Sequence, residues 1–135
     1  MRSKWLVLFL LIGLSGYSQT TIFLVRHAEK VDNSQDPELS LDGKARAVRL
    51  MELLKDVGID KIYSTDYKRT RNTARPLADL LNISIQIYRP FDAKTPEMLK
   101  SLGDEQVLIV GHSNTIPALV NKLLGEDRNQ QLPAD

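Results

Sequence analysis

Two histidines and three arginines are the residues whose types and positions in this sequence point to chemistry. His27 and His112 are the two histidines of the chain, and each directly follows a short apolar run, FLVR and LIVG. Arg26 precedes His27, while Arg69 and Arg71 lie between the two histidines. A guanidinium matches phosphate oxygens two at a time, and an imidazole can attack phosphorus or hydrogen-bond its oxygens. Brought together, these side chains would bind a phosphoryl dianion without a metal ion.

Each of these residues also has a purely structural interpretation. A lone histidine at a strand end is more often structural than catalytic. Two histidines at equivalent strand ends, with arginines nearby, favour a site instead. Arg69 and Arg71 can also be explained as a solvated helix face, and Lys68 beside them supports that explanation for at least one of the three.

The composition excludes several classes of protein and of site. The chain has 135 residues, enough for one domain, with 42% hydrophobic and 26% charged residues, which is typical of a globular protein. It has no cysteine, so disulfides, thiolate nucleophiles and iron–sulfur clusters are excluded. Two histidines cannot form a three-histidine metal site. A net charge of +1 indicates no nucleic-acid partner.

The elements that must position these side chains alternate between strand and helix. Short apolar or β-branched runs predict strands at 21–26, 59–64, 83–88 and 106–110, with the first buried on both faces and the third nearer an edge. Helical spacing predicts helices at 41–57, 68–81, 96–102 and 116–124. This alternation predicts an α/β fold, a three-layer α/β/α sandwich with a mostly parallel central sheet.

Caps and prolines set the expected limits of the helices. Ser40 is the expected N-cap of the first helix and Gly58 its stop. Pro76 predicts a kink or a fresh first turn in the second helix, and Pro96 is expected at the first position of the third. Ligands of such sheets bind beyond the carboxyl ends of the strands, which places Arg26–His27, Ser64–Thr65 and Gly111–His112 at one rim.

The N-terminus has the pattern of a secretory signal peptide. Arg2 and Lys4 precede the apolar run WLVLFLLIGL at 5–14, and small residues at 16 and 18 suit cleavage after Ser18. The alternative is a buried first strand, and the run is too short for an ordinary transmembrane helix. We therefore expect a signal peptide at 1–18, a domain at 19–135, export to the periplasm or medium of a bacterium, and no membrane association after cleavage.

Four motifs, in chain order, resemble those of the histidine phosphatase (phosphoglycerate mutase-like) superfamily. They are VRHAEK at 25–30, LSLDG at 39–43, IYSTDYKRTRNTA at 62–74 and VLIVGHSN at 107–114. Within that superfamily, the resemblance is closest to the short branch that includes phosphohistidine protein phosphatases and exported sugar-phosphate phosphatases.

The resemblance implies a role for each matching residue. His27 corresponds to the nucleophile that becomes phosphohistidine, and Arg26 to the arginine that binds the phosphoryl oxygens. Arg69 aligns with the second arginine and His112 with the second histidine, both on the same phosphoryl group. Asn33 corresponds more weakly to an asparagine that touches phosphate in several members. Arg71 would lie on the helix surface, and Ser113 and Asn114 would line the pocket mouth.

Three departures from the family pattern bear on catalysis. Ala28 replaces the usual glycine after the nucleophile. The acidic residue that acts as general acid in many members is missing, because Ser113 follows the second histidine and the usual insertion is reduced to 89–95. Asp92 is the best remaining candidate, with loop solvation or helix capping as its alternative role. The family sheet usually has a further strand after the last helix, and the end of this sequence at Asp135 fits either a fragment or a trimmed sheet edge.

Together these observations lead us to expect an enzyme, a metal-independent phosphatase that forms phosphohistidine on His27. Without a general acid, it would favour good leaving groups, as in acyl phosphates, phosphoramidates and aryl phosphates. The expected partner is a small phosphorylated substrate or a phosphoprotein, with no cofactor, no metal and no nucleic acid. The alternatives are a non-catalytic module of the same fold that binds phosphate or a phosphorylated ligand, and an envelope protein that keeps the fold without using the pocket.

Overall fold

A computed structural model describes residues 19–133. Within that range, strands and helices alternate along the chain in the order β1 (Thr21–Arg26), α1 (Leu41–Leu54), β2 (Lys61–Ser64), α2 (Lys68–Leu81), β3 (Ile85–Ile87), α3 (Lys94–Lys100), β4 (Gln106–Gly111) and α4 (Thr115–Leu124). The expected signal peptide at 1–18 lies outside the described residues and stays a prediction.

The four strands form one parallel sheet in the order β1-β4-β2-β3. Alternate residues of β4 point to opposite faces. Leu108 and Val110 pack with side chains of α1 and α2, whereas Val107 and Ile109 pack with side chains of α3 and α4. The sheet therefore lies between two helical layers, which confirms the predicted three-layer sandwich and its parallel sheet.

Sequence and structure differ on which strand is most buried. β4 takes a central place, and its residues from Val107 to Gly111 are all buried. The expectation that the first strand is buried on both faces is wrong, because every residue of β1 is partly exposed. Among the described strands β1 pairs with β4 alone, which leaves it at an edge. β3 lies at the other edge, as predicted.

The helix limits agree with the prediction at Ser40 and differ at Gly58 and at two prolines. α1 ends at Leu54 with Lys55 as its C-cap, so Gly58 is not its stop as predicted; Gly58 lies at φ 84° in the turn that follows. Ser40 caps α1 as predicted, since its Oγ accepts a hydrogen bond from the Gly43 N–H at 3.0 Å. Pro76 does not interrupt α2, because the burial of Ala74 and Leu77 outweighs the one hydrogen bond that proline lacks. α3 begins two residues before the predicted start, so Pro96 is its third residue rather than its first.

Past α4, the described chain runs on without regular structure. Gly125 ends the helix in the left-handed conformation at φ 69°, and residues 126–133 form neither helix nor strand. Across residues 19–133, no helix has both the length and the apolar character needed to span a bilayer.

Candidate active site

The carboxyl ends of β1 and β4 bring the two histidines side by side. Arg26 and Gly111 are partners in the parallel register, and the His27 N–H donates to the Gly111 carbonyl at 2.9 Å. His27 and His112 leave the sheet from these adjacent ends. Their ring centroids lie 5.5 Å apart with the ring planes at 64°. Strand pairing alone therefore accounts for the meeting of residues that are far apart in the sequence.

A pocket of about 580 Å³ opens at this rim. Four of the five predicted phosphate-binding and catalytic residues line it together, namely Arg26, His27, Arg69 and His112. Ser113 and Asn114 line it too, as expected from the resemblance. Thr65 lines it as well, at the strand end that the sequence places at the same rim. The sequence did not predict several other lining residues, which include Lys30, Asp66, Tyr67, Tyr88 and Phe91.

The tautomer of His27 follows from a single contact. The side chain is buried, with 7% of its surface exposed. Its Nδ1 lies 2.8 Å from the Ala28 carbonyl oxygen. A carbonyl oxygen only accepts, so Nδ1 carries the proton and the ring lone pair lies on Nε2. The Ala28 N–H donates to the Thr73 hydroxyl of α2 at 2.9 Å, which fixes the backbone beside the imidazole.

His112 has the opposite tautomer. Its Nδ1 lies 3.5 Å from Nη2 of Arg69, which only donates, so Nδ1 is the accepting nitrogen. Its Nε2 then donates to the Thr65 hydroxyl at 2.8 Å. That hydroxyl donates to Thr70 Oγ1 at 3.0 Å, and Thr70 donates to the Tyr67 carbonyl at 2.9 Å. A chain of hydrogen bonds thus joins His112 to the first turn of α2.

The surroundings of His112 keep it neutral. Burial lowers the pKa of its imidazole to about 4, and electrostatic interactions with Arg69, His27 and Arg26 act in the same direction. The protonated form is disfavoured because four groups that carry or accept a positive charge converge on one pocket. In the empty site, His112 therefore offers an accepting Nδ1 toward Arg69.

Of the three arginines of α2, Arg69, Arg71 and Arg75, only Arg69 lines the pocket. Arg69 lies over the Tyr67 ring, with its Cζ 4.5 Å from the ring centroid, and donates weakly to the Gln35 carbonyl at 3.5 Å. Arg71 forms an ion pair with Asp66 and does not line the pocket. On β1, Arg26 donates from Nη1 to the Pro133 carbonyl at 2.8 Å.

Asn33 is the predicted site residue that the structure does not bring into the pocket. It is exposed in the loop of residues 31–38, which is fixed to α2. Asp36 accepts a hydrogen bond from the Lys68 N–H at 2.8 Å, and Glu38 accepts one from Asn72 at 2.8 Å. These bonds hold the loop against α2, and Asn33 is not among the residues that line the pocket.

The acidic residues near the pocket are turned toward other groups. Asp92 is exposed, does not line the pocket, and accepts a hydrogen bond from the Lys94 N–H at 2.9 Å. This is the capping role given above as its alternative. Among residues 19–133, Asp66 is the one acidic residue that lines the pocket, and its carboxylate pairs with Arg71. Its position beside Thr65 at the end of β2 could have identified it.

The start of α1 supports the segment that follows His27. The Ser40 N–H donates to the Glu29 carbonyl at 2.9 Å. A Cβ at Gly43 would overlap that same carbonyl oxygen, so the close approach requires glycine. This contact explains the LSLDG motif physically, since its serine caps α1 and its glycine lets α1 reach the backbone two residues after His27.

Within residues 19–133, no group of three or more histidine or acidic side chains is placed to hold a metal ion. The donors that line the pocket include two arginines, two histidines and the hydroxyl groups of Thr65, Tyr67 and Ser113. Such donors suit an anion with several oxygens.

Comparison with known protein families and proteins gives one family. The model for the histidine phosphatase superfamily (branch 1) matches residues 22–92, just over half of the chain. Two relatives, both named probable phosphoglycerate mutase GpmB, are 30% identical to this chain. The protein from Yersinia enterocolitica matches over 96 residues, 56% of this chain and 45% of its own. The protein from Citrobacter koseri matches over 102 residues, 70% of this chain and 43% of its own. The chain thus spans less than half the length of these relatives.

Several solved structures share the fold. A structure from Agrobacterium tumefaciens, named as the phosphohistidine phosphatase SixA, is 26% identical, with a TM-score of 0.62 over 78% of this chain and 76% of its own. The mycobacterial glucosyl-3-phosphoglycerate phosphatase Rv2419c is 19% identical, with a TM-score of 0.65 over 76% of this chain and 78% of its own. The phosphoserine phosphatase of Entamoeba histolytica is 18% identical, with a TM-score of 0.65 over 81% of this chain and 82% of its own.

Proposed function

This chain belongs to the histidine phosphatase superfamily, and we propose that it is a metal-independent phosphatase that works through a phosphohistidine on His27. One observation carries the proposal. The Ala28 carbonyl fixes the proton of His27 on Nδ1, so the lone pair of Nε2 belongs to a pocket that Arg26, Arg69 and His112 also line. A nucleophile and the donors for phosphoryl oxygens therefore share one cavity.

The chemistry proceeds in two displacements. Nε2 of His27 attacks phosphorus, the P–O or P–N bond to the leaving group breaks, and a phosphohistidine forms. Water then attacks that phosphorus, the bond to Nε2 breaks, and inorganic phosphate leaves with His27 restored. Arg26 and Arg69 bind the oxygens of the transferring group, whose negative charge they stabilise. The Nδ1–H bond to Ala28 stabilises the imidazolium-like phosphohistidine.

The supply of a proton limits which substrates suit the site. Asp92 caps α3, and Asp66 is paired with Arg71, so neither carboxyl group is placed to protonate a leaving group. We infer that the preferred substrates have leaving groups that need little protonation, as in aryl phosphates, acyl phosphates and phosphoramidates. The similarity to SixA and to two phosphomonoester phosphatases supports a phosphorylated small molecule or phosphoprotein as the substrate.

Hydrolysis of p-nitrophenyl phosphate in the presence of EDTA tests the proposal. We expect turnover in EDTA, a loss of at least about a thousandfold in kcat for His27→Ala, and roughly a hundredfold loss in kcat/KM for Arg69→Ala. Arg75→Ala is the matched control, because this exposed arginine lies on the same helix and outside the pocket. Undiminished hydrolysis by His27→Ala would refute the phosphohistidine route.

The second candidate is a module that binds phosphate without turning it over. The partners of the two carboxyl groups favour it, because Asp66 is paired with Arg71 and Asp92 accepts the hydrogen bond of the Lys94 N–H. Binding of inorganic phosphate to the wild-type protein, together with no hydrolysis of aryl phosphates, acyl phosphates or phosphoramidates, would establish this function instead of the enzyme.

We also propose that the protein is exported through cleavage after Ser18. The basic residues Arg2 and Lys4, the apolar run at 5–14 and the small residues before the cleavage point support this location. Expression of the full sequence in a bacterium, followed by fractionation and N-terminal sequencing of the product, tests it. A mature N-terminus at Gln19 in the periplasm or medium is expected, and an unprocessed cytoplasmic protein would refute export.

A further inference from the structure

Three side chains at the pocket contact one another in a closed triangle. The Tyr67 ring lies 4.5 Å from Cζ of Arg69 and 5.1 Å from the ring of His112, with the two rings at 86°. Arg69 and His112 meet at 3.5 Å between Nη2 and Nδ1. The Tyr67 ring therefore contacts both Arg69 and His112, the two members of the triangle that we expect to bind phosphate.

The identity of Tyr67 is not explained by the helix that it begins. The residue occupies the N-cap of α2, where Ser, Thr, Asp and Asn are preferred, and its side chain makes no capping bond. Asp36 serves that purpose, since it accepts the hydrogen bond from the Lys68 N–H. The ring is also 40% exposed, so it contributes less to the core than a buried aromatic would. The contacts of the ring with Arg69 and His112 are therefore the best explanation for a tyrosine at this position.

Arg69 needs such support when the pocket is empty. Its hydrogen bonds to Gln35 and His112 are both 3.5 Å long, at the limit of a useful bond. Within residues 19–133 it forms no ion pair with a carboxylate. The guanidinium also faces a pocket that concentrates positive charge. The face of an aromatic ring attracts a cation without neutralising it, which suits a residue that must later bind an anion.

We propose that Tyr67 is a positioning residue whose ring holds Arg69 and His112 in the arrangement that receives the phosphoryl group. This proposal rests on the proposed function in one respect, namely that the ligand of the pocket is a phosphoryl-type anion. Donors that are already aimed when the substrate arrives need no reorganisation, so loss of the ring weakens anion binding and transition-state stabilisation together. The ring makes its contribution through Arg69 and His112 and takes no part in bond making.

Substitution of Tyr67 by Leu and by Phe tests this role. Sulfate is the binding probe, and p-nitrophenyl phosphate is the substrate. Tyr67→Leu is expected to raise the Kd for sulfate and the KM by roughly three- to tenfold. Tyr67→Phe keeps the ring and is expected to stay within about twofold of wild type. Proton NMR adds a spectroscopic readout, because the chain has only two histidines. The pKa of His112 should rise in Tyr67→Leu, because the imidazole becomes more exposed to solvent and Arg69 can move away from it. Arg26 and His27 still face the imidazole in this variant and continue to lower its pKa.

The outcomes separate this proposal from the proposed function. If the wild-type protein binds sulfate but hydrolyses nothing, the phosphatase proposal fails, and the sulfate and NMR results still decide the role of Tyr67. A Tyr67→Leu variant with wild-type Kd and unchanged His112 titration overturns the positioning role, even if its Tm is lower. A Tyr67→Phe variant as impaired as Tyr67→Leu also overturns it, because the hydroxyl would then be the group that matters. Should Tyr67→Leu fail to fold, Tyr67→Met replaces it in the same assays.

Discussion

Anion binding to this pocket should be accompanied by proton uptake at His112. In the empty site Nδ1 of His112 accepts from Arg69, and burial together with nearby positive charge lowers the pKa of the imidazole to about 4. A phosphoryl or sulfate oxygen needs a donor at that nitrogen. Because a dianion between His112 and the arginines reverses the local electrostatics, the pKa of His112 rises when the anion binds.

The sign and size of the effect follow from these protonation states. At pH 6, an imidazole with a pKa of about 4 is protonated in about one molecule in a hundred, so the empty protein carries a neutral His112. Between about pH 4 and the higher pKa of the bound state, each sulfate that binds brings one proton with it. The Kd for sulfate should therefore fall about tenfold for each unit by which the pH falls within that window.

The same lowered pKa should make the empty protein less stable in acid. The unfolded chain protonates His112 near its ordinary pKa of 6.5, whereas the folded protein protonates it at about 4. The unfolded state therefore binds more protons between these values, and stability falls as the pH decreases from about 6.5 to about 4. A loss of about 1–3 kcal/mol is expected, since His112 is only partly shielded from solvent.

Isothermal titration calorimetry with sulfate, which stays a dianion over this range, tests the linkage. Titrations between pH 4.5 and 7, in buffers of different ionisation enthalpy, give the Kd and the number of protons taken up. His112→Gln keeps a donor but cannot titrate, so its affinity should vary less with pH, while His27→Gln should retain the dependence due to His112. A wild-type Kd that does not change with pH, or the same slope in His112→Gln, would refute the reasoning.

Three further predictions concern the supports of the site. Gly43→Ala should destabilise the fold by about 3 kcal/mol in urea unfolding, because its Cβ overlaps the Glu29 carbonyl, and a loss below about 0.5 kcal/mol would contradict this packing. Thr65→Val, which removes the acceptor of His112 Nε2, should lower kcat/KM roughly tenfold, whereas Thr65→Ser should restore it. Asp92→Asn should leave the pH–rate profile for p-nitrophenyl phosphate unchanged, because Asp92 caps α3, and loss of one limb of that profile would make Asp92 the general acid.

Local patterns were sufficient to predict the sheet and the meeting of the histidines. The apolar runs before His27 and His112 predict strands from only a few neighbouring residues each. Parallel pairing of these strands then brings their carboxyl ends to one rim. The edge position of β1 was not predicted, because the sequence of TIFLVR is as apolar as that of QVLIVG. Which of two such strands becomes central depends on pairing between distant segments, and β4 takes the place between β1 and β2.

The residues that contact the histidines and arginines of the pocket were harder to predict than the histidines and arginines themselves. The sequence places Thr65 at the rim without giving it a partner, and it indicates only a turn at Tyr67. Their contacts with His112 cross more than forty positions of the chain and depend on how α2 is placed on the sheet. Asp66 was missed although it directly follows Thr65 at the end of β2. Asn33 was assigned from family resemblance, and the anchoring of its loop by Asp36 keeps it outside the pocket.

Arg69 and Arg71 show why charge pattern alone could not choose between two neighbouring arginines. Arg71 is paired with the carboxylate of Asp66, and much of its charge is thereby neutralised. Arg69 is supported by an aromatic ring, a carbonyl oxygen and an imidazole nitrogen, none of which carries a negative charge. Because a carboxylate beside Arg69 would compete with the substrate, neutral acceptors leave its charge available to a phosphoryl dianion. The acceptor beside each arginine therefore distinguishes Arg69, whose charge faces the pocket, from Arg71, which is paired at the helix surface.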